Sequence, residues 1–378
     1  MRLRETLGGT PDTLTAGDVE TLVGNLVAES FDLDFKDTYM SEDKIRDLCE
    51  WIRNSNTITD LRFSGLGPRS NIIPFDYTCF QHLHLRSLEI DRCLCTHECR
   101  CLSNKCRYFT HLTSLRSLIL VASYEPSHDH VFELINNNTQ LEELELIEFQ
   151  DDQLARILST VSSYNLSSLR LCIDPTGSRS WPLIINLVET TTALASLKFL
   201  FCDLDNKQIR ELADSLTVNT TLVNLGITSN SLEADGMDAL FTSMGNKPEL
   251  TELNLSDCLY KNEEVSHLFT LLQINTTLQC LDVSYSISNP QVYEDSTVDQ
   301  LCLMLKHNTT LTSLTLPSLS ISDGQLDRVK DVMVYNSTLT SIVMPFSAKD
   351  AFKSIADRNA HNNAMRDVKL VDLLLKLT

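Results

Sequence analysis

Glycine and proline are both scarce, at 11 and 10 of 378 residues, and neither gathers into a run. A Gly/Ser-rich or Pro-rich linker is therefore absent, and with it any domain boundary of that kind. No apolar run approaches the roughly 18–20 residues needed to span a bilayer. The opening stretch MRLRETLGGTPDTLTAGDVE has two early arginines but no apolar core of the secretory type. Positive charge is the scarcer sign, since 31 Lys and Arg against 51 Asp and Glu give a formal charge of −20. Nucleic acid and anionic membranes both require a cationic surface, so neither is expected as the main partner, whereas a protein with a basic surface suits this balance. Reaction motifs are missing too. There is no G-x-S-x-G, no phosphate-cradling G-x-x-x-x-G-K-S/T, no H-E-x-x-H and no Rossmann glycine pattern, so the chain is not expected to be an enzyme or to hold a cofactor.

What the sequence does contain is a repeat. From Leu222 it reads LVNLGITSNSLEADGMDALFTSMGNKPE, and from Leu250 LTELNLSDCLYKNEEVSHLFTLLQINTT. These two stretches are equal in length, and each opens with L-x-x-L-x-φ, φ being apolar. Within a repeat the apolar period changes from two to about 3.6, which is a strand followed by a helix. Counting outward places repeat starts at Ser30, Ile58, Leu85, Leu115, Leu141, Leu166, Leu194, Leu222, Leu250, Leu278, Leu311 and Leu339, at near-constant intervals. The apolar pair three and five residues on recurs throughout, as in Leu33 with Phe35, Leu144 with Leu146 and Leu197 with Phe199.

The second half of each repeat is expected to form an amphipathic helix, with stripes such as Met237, Leu240, Phe241 and Met244 packed on the strand leucines. Asn219, Asn275, Asn308 and Asn336 begin N-T/S-T-L sequences that also fit a glycosylation pattern. Their fixed place at helix ends favours a C-cap, because Asn tolerates left-handed backbone. Eight residues after the repeat starts stand small polar residues, among them Cys93, Cys202, Asn230 and Cys258, suited to satisfying backbone groups where the chain leaves the sheet. Residues 1–29, with a helix over 12–28, and residues 348–378 are expected to cap an array covering 30–347 in one continuous domain.

L-x-x-L-x-L-x-x-N/C-x-L with a helix, repeated every about 28 residues, resembles the ribonuclease-inhibitor-like class of leucine-rich repeat proteins. The resemblance covers about residues 30–347. The short repeats starting at Leu115 and Leu141, the long one starting at Leu278 and the polar Ser30 depart from it. It implies an α/β right-handed solenoid, a horseshoe of about twelve strand–helix repeats. A parallel sheet would line the concave face, about 50 Å along its arc at ~4.8 Å per strand, with helices on the convex face. Members of the class are typically cytosolic, protein-binding and devoid of catalytic chemistry. Related arrays occur in tropomodulins, in sensor-type receptors and in effectors that intracellular bacteria secrete into host cells. A monomeric cytoplasmic scaffold is the expectation, and a secreted effector acting on a host protein is the alternative role.

Three stretches carry candidate chemistry. Glu142, Glu143 and Glu145 share one short strand, with Arg86 and Arg116 on earlier strands and Arg170 and Lys198 on later ones. That pattern serves either docking of a partner or lateral salt bridging between strands. The later strands expose neutral polar residues such as Asn254. The long repeat starting at Leu278 holds an inserted loop, Asn289–Asp295, in which Tyr293 is a candidate partner anchor. Finally, six of twelve cysteines fall between Cys79 and His111. Cys79 and Cys106 take helix-core positions and Cys93 the turn, leaving Cys95, His97, Cys99 and Cys101 as candidates for a metal or redox site, although their spacing matches no standard zinc motif. Cysteines placed mostly at repeat-frame positions fit a reducing compartment.

Overall fold

A computed structural model of the chain describes residues 30–34, 42–64, 77–90, 106–122, 129–172, 179–245, 247, 249–259, 261–284, 292–316, 321–343 and 359. The chain forms two compact units, residues 1–184 and 185–378. The expected terminal caps lie outside the described residues, apart from Asn359.

In the first unit the order is β1 (Ser30–Asp34), α1 (Glu42–Asn54), β2 (Asp60–Ser64), β3 (Ser87–Ile90), β4 (Ser117–Val121), α2 (Asp129–Asn137), β5 (Glu143–Ile147), α3 (Asp151–Val161) and β6 (Ser168–Cys172). Helix α4 (Trp181–Thr190) contains the boundary. The second unit continues with β7 (Ser196–Leu200), α5 (Asn206–Leu216), β8 (Asn224–Thr228), α6 (Ala234–Met244), β9 (Glu252–Asn254) and α7 (Asn262–Leu272). It ends with β10 (Cys280–Asp282), α8 (Asp295–His307), β11 (Ser313–Thr315), α9 (Asp323–Met333) and β12 (Ser341–Val343). In each unit every strand pairs in parallel with its neighbour in chain order, β1 to β6 and β7 to β12.

From Ile58 onward each strand begins two residues after the repeat start expected from sequence. The fourth-position leucines therefore stack in register, Leu88 on Leu118, Leu144 and Leu169, and Leu197 on Leu225, Leu253, Leu281 and Leu314, and all are at most 2% exposed. The helix stripes Ile209–Leu212–Leu216, Met237–Leu240–Phe241–Met244 and Val265–Leu268–Leu272 are buried as expected. Burying a side chain of this size stabilises by about 1.5–3 kcal/mol, so two apolar stripes per repeat hold each layer to the next.

Three expectations are corrected. Ser30 pairs with Asp60 and Phe31 with Leu61, so the first strand's frame begins two residues earlier than Ser30, and its apolar pair is Phe31 and Leu33. Alternation in SFDLDF looks the same after a shift of two, so the pattern alone could not choose. Second, in the repeat starting at Ile58 the described part of the second half is a 3-10 turn, Tyr77–Phe80, whereas in the repeat starting at Leu85 Cys106 is helical and is followed at once by a turn over residues 107–111. Aromatic pairs join them: Tyr77 stacks on Tyr108 with centroids 4.8 Å apart, and Phe80 lies against Phe109 at 5.4 Å.

Third, the asparagines do cap, but not through left-handed backbone. Asn308 has φ −72° and ψ 127°, and none of the four is among the described positive-φ residues. Each amide oxygen instead accepts the N–H groups two and three residues on, as Asn219 does from Thr221 (3.0 Å) and Leu222 (2.8 Å). The amide nitrogen of Asn219 donates to Val188 of the preceding repeat at 2.7 Å, and that of Asn336 to Leu305 at 2.8 Å. All four side chains are buried, and those of Asn219, Asn308 and Asn336 staple adjacent repeats, which leaves no room for a glycan. At the equivalent position before Leu194, Thr191 accepts from Ala193 and Leu194 in the same way.

Candidate partner-binding face

Residues between the strand leucines point away from the helices, so the sheet's other face carries whatever the helices leave uncovered. In the first unit this face is a row of charges whose backbone positions are fixed by the ladder. The Arg116 N–H donates to Arg86 O at 2.7 Å and the Glu142 N–H to Arg116 O at 2.8 Å, which sets the three side by side. Arg116 pairs with Glu142 at 2.5 Å, Arg170 with Glu145 at 3.3 Å and Arg62 with Glu89 at 2.9 Å. Lateral bridging is thus present. With Arg116 and Glu142 each about half exposed, such a pair contributes about 0.2–1 kcal/mol. Arg86 and Glu143 are exposed and have no ion-pair partner among the described residues.

The second unit's face is polar and largely self-satisfied. Asn254 Oδ1 accepts from the Ser256 N–H (2.9 Å), Ser256 Oγ (2.7 Å) and Thr228 Oγ1 (3.3 Å), and Asn224 donates to Glu252 at 2.5 Å. Lys198 is half-buried, and its stem lies over Gly226, where a Cβ would come within 3.1 Å of Lys198 Cγ. Glycine at this place gives the lysine its bed.

Tyr293 is not a surface anchor. It is 1% exposed, and Gln325 donates to its backbone carbonyl at 3.0 Å, while Asn262 bonds Val292 O and the Glu294 N–H on either side. The residue after an insertion has become core, because neighbouring helices hold the backbone around it. The rest of the Asn289–Asp295 loop up to residue 291 lies outside the described residues, as do Cys95, His97, Cys99 and Cys101.

At the strand exits the frame explains the small residues. Asn230 accepts a buried hydrogen bond from the Leu204 N–H at 2.9 Å and donates to Thr228 O at 3.0 Å, and the Cys258 thiol donates to Ile227 O at 2.5 Å. Burial, against opposing hydrogen bonds from the Asn230 and Ser229 backbone, pushes the Cys258 thiol up to about 12, so it is an inert scaffold group. Cys172 is also pushed up, first by burial and then by Glu148 and Glu145, with Arg170 opposing. The residue before this position adopts left-handed backbone: Glu148 (φ 61°), Phe201 (50°), Ser229 (56°) and Asp257 (55°). The reason is hydrogen bonding, because each N–H then reaches the next strand, as Phe201 does to Thr228 O at 3.0 Å and Glu148 to Cys172 O at 2.8 Å. Phe201 went unnoticed in sequence. The signal was there, an aromatic where the other three repeats carry Glu, Ser and Asp.

No family model matches the chain. Human NACHT, LRR and PYD domains-containing protein 13 is 30% identical over 138 residues, 36% of this chain and 13% of that protein. The Caenorhabditis elegans homolog of protein phosphatase 1 regulatory subunit 37 is 21% identical over 196 residues, 49% of this chain and 20% of that protein. The matched stretches thus span no more than a fifth of either relative. Among solved structures, the leucine-rich repeat-containing protein LegL7 from Legionella pneumophila matches 84% of this chain and 92% of its own, at 12% identity and a TM-score of 0.48. The tropomodulin C-terminal domain from Caenorhabditis elegans matches 44% of this chain and 99% of its own, at 15% identity and a TM-score of 0.34. Parallel strands stacked leucine on leucine, alternating with helices in repeats of near-constant length, make this chain an α/β solenoid and a leucine-rich repeat protein.

Proposed function

We propose that the chain is a protein-interaction scaffold of the ribonuclease-inhibitor-like kind, monomeric and cytoplasmic, which binds a partner protein on the strand face of its sheet. One observation carries the reading: Arg86 and Glu143 stand exposed and without ion partners among the described residues, beside a row in which Arg116, Glu142, Glu145 and Arg170 are paired. Charges that the scaffold does not use are available to a partner, and the paired ones hold the row rigid, so little ordering entropy is lost on binding. The second unit offers a polar strand face of its own, with Lys198 and Asn254. A formal charge of −20 favours a partner with a basic surface. Support for a protein partner comes from the nematode relative, which is named as a regulatory subunit of a protein phosphatase.

The test is affinity capture from a cell lysate with the wild-type chain, followed by the same capture with Arg86→Ala and Glu143→Ala combined. Neither side chain belongs to the lateral ladder, so the fold is expected to be unchanged by circular dichroism. Recovery of the principal captured protein falls at least fivefold if the reading is right. Undiminished recovery would falsify this placement.

A further inference from the structure

We infer that Phe201 and Asp203, at the strand-exit turn after β7, form the docking point for an arginine side chain of a partner protein. The inference rests on the protein-binding reading above and adds the chemistry of one contact.

Three neighbours of Phe201 in repeat frame are polar, and its own backbone is left-handed, a region that bulky residues rarely occupy. Nevertheless the ring is 68% exposed. Asp203, two residues on, is left-handed as well (φ 49°), so two of the five described positive-φ non-glycine residues bracket one buried side chain, Cys202. No other described turn holds two. With Cys202 turned inward, the phenyl and the carboxylate on either side both meet solvent. The Phe201 N–H bonds Thr228 O, so the next repeat presents Ser229 beside Phe201, and a serine is too small to cover the ring. Lys198, the nearby cation of β7, lies over Gly226, and Asp203 has no ion partner among the described residues. The scaffold hydrogen bond accounts for the left-handed backbone, but no described scaffold contact uses the exposed ring, and apolar surface left beside an unpaired carboxylate points to a ligand.

The molecule itself displays what completes such a pair. In the first unit Arg156 lies over the Phe132 ring, with its guanidinium carbon 3.7 Å from the centroid, and one of its nitrogens is 3.8 Å from Asp129. Phenyl and carboxylate are there capped by one guanidinium. Phe201 and Asp203 offer the same two groups with no arginine supplied. A planar guanidinium stacks on the ring and still donates to the carboxylate, whereas an ammonium reaches the carboxylate as a compact, strongly hydrated charge. The occupant is therefore an arginine-bearing segment, drawn in by the chain's excess negative charge.

The test measures fluorescence anisotropy of labelled hexa-arginine and hexa-lysine peptides with the full chain at ~150 mM salt, where long-range attraction is screened. Hexa-arginine is expected to bind at least fivefold more tightly than hexa-lysine. The preference should vanish in Phe201→Ala and in Phe201→Gly, and shrink at least twofold in Asp203→Asn. Phe201→Gly also suits left-handed backbone, so its melting temperature should be no lower than that of the wild type, which separates lost recognition from lost fold. Equal binding of the two peptides, no binding of either, or a preference that survives Phe201→Ala overturns the inference. Self-association seen in sedimentation and abolished by Phe201→Ala overturns it in favour of a second copy of this chain. If the peptides fail to discriminate while Arg86 and Glu143 still govern protein capture, the inference falls and the proposed function stands. Arginine preference without any effect of Arg86 and Glu143 on capture gives the reverse.

Discussion

The hydroxyl of Tyr293 is buried with no hydrogen-bond partner among the described residues, and desolvation holds its ionisation well above the ordinary 10. A buried polar atom left bare costs about 1–3 kcal/mol, so Tyr293→Phe should raise stability by about 1 kcal/mol in a urea titration. A loss of stability would mean that the hydroxyl is satisfied. Asp151 is the opposite case. Burial opposes its ionisation, but the Ser180 hydroxyl and N–H and the Arg179 N–H donate to it and, with the Arg179 charge, hold it below the usual 3.8. It anchors the two residues that lead into helix α4 from the repeat before. Because the folded value is the lower one, its contribution is complete above the ordinary value and is lost as the pH falls through the folded one. Asp151→Asn should therefore cost about 1 kcal/mol at pH 7 and progressively less below about pH 4. Sequence could not reveal either residue's role. Tyr293 looks like an anchor because it is an aromatic in an insertion, and the residues that hold it inside, Asn262 and Gln325, are distant along the chain.

At the scale of elements, glycine in the first helical turn means two different things. In α6 a Cβ at Gly236 would lie 2.7 Å from Asn206 Oδ1 and 3.1 Å from Ile209, both on the neighbouring helix α5. At Gly324 in α9 nothing lies within 4 Å. Helix propensity alone favours alanine by about 1 kcal/mol at either place. Overpacking costs about 1–3 kcal/mol, so Gly236→Ala should lower the melting temperature while Gly324→Ala raises it. A matching sign at both positions in differential scanning calorimetry would contradict the close approach of α5 and α6. Elements were also where sequence was most legible. Strand starts from Ile58 onward and the helix stripes followed from periodicity, because a leucine every few residues reports burial directly. The first strand slipped by two because period-two patterns repeat under that shift. The 3-10 turn at Tyr77–Phe80 was missed because buried Cys79 occupies a position that an α-helix would also bury.

For the molecule as a whole, the repeat specifies a scaffold, and its departures carry the recognition chemistry. Most of the charged row on the strand face is scaffold too, since Arg116–Glu142, Arg170–Glu145 and Arg62–Glu89 bridge neighbouring strands. Sequence showed which residues share that face but not which of them pair, because pairing depends on rotamers across strands a whole repeat apart. What remains for a partner is the unpaired remainder, Arg86 and Glu143, with Phe201 and Asp203 at the strand exit of the second unit. The most direct measurement is carboxyl footprinting of the captured complex against the free chain. Labelling of Glu143 on the strand face of the first unit should fall severalfold on binding, while Glu133 and Asp152 on the helices of the same unit keep their free-state labelling. Protection of Glu133 and Asp152 with Glu143 unchanged would place the partner on the helices and contradict the account.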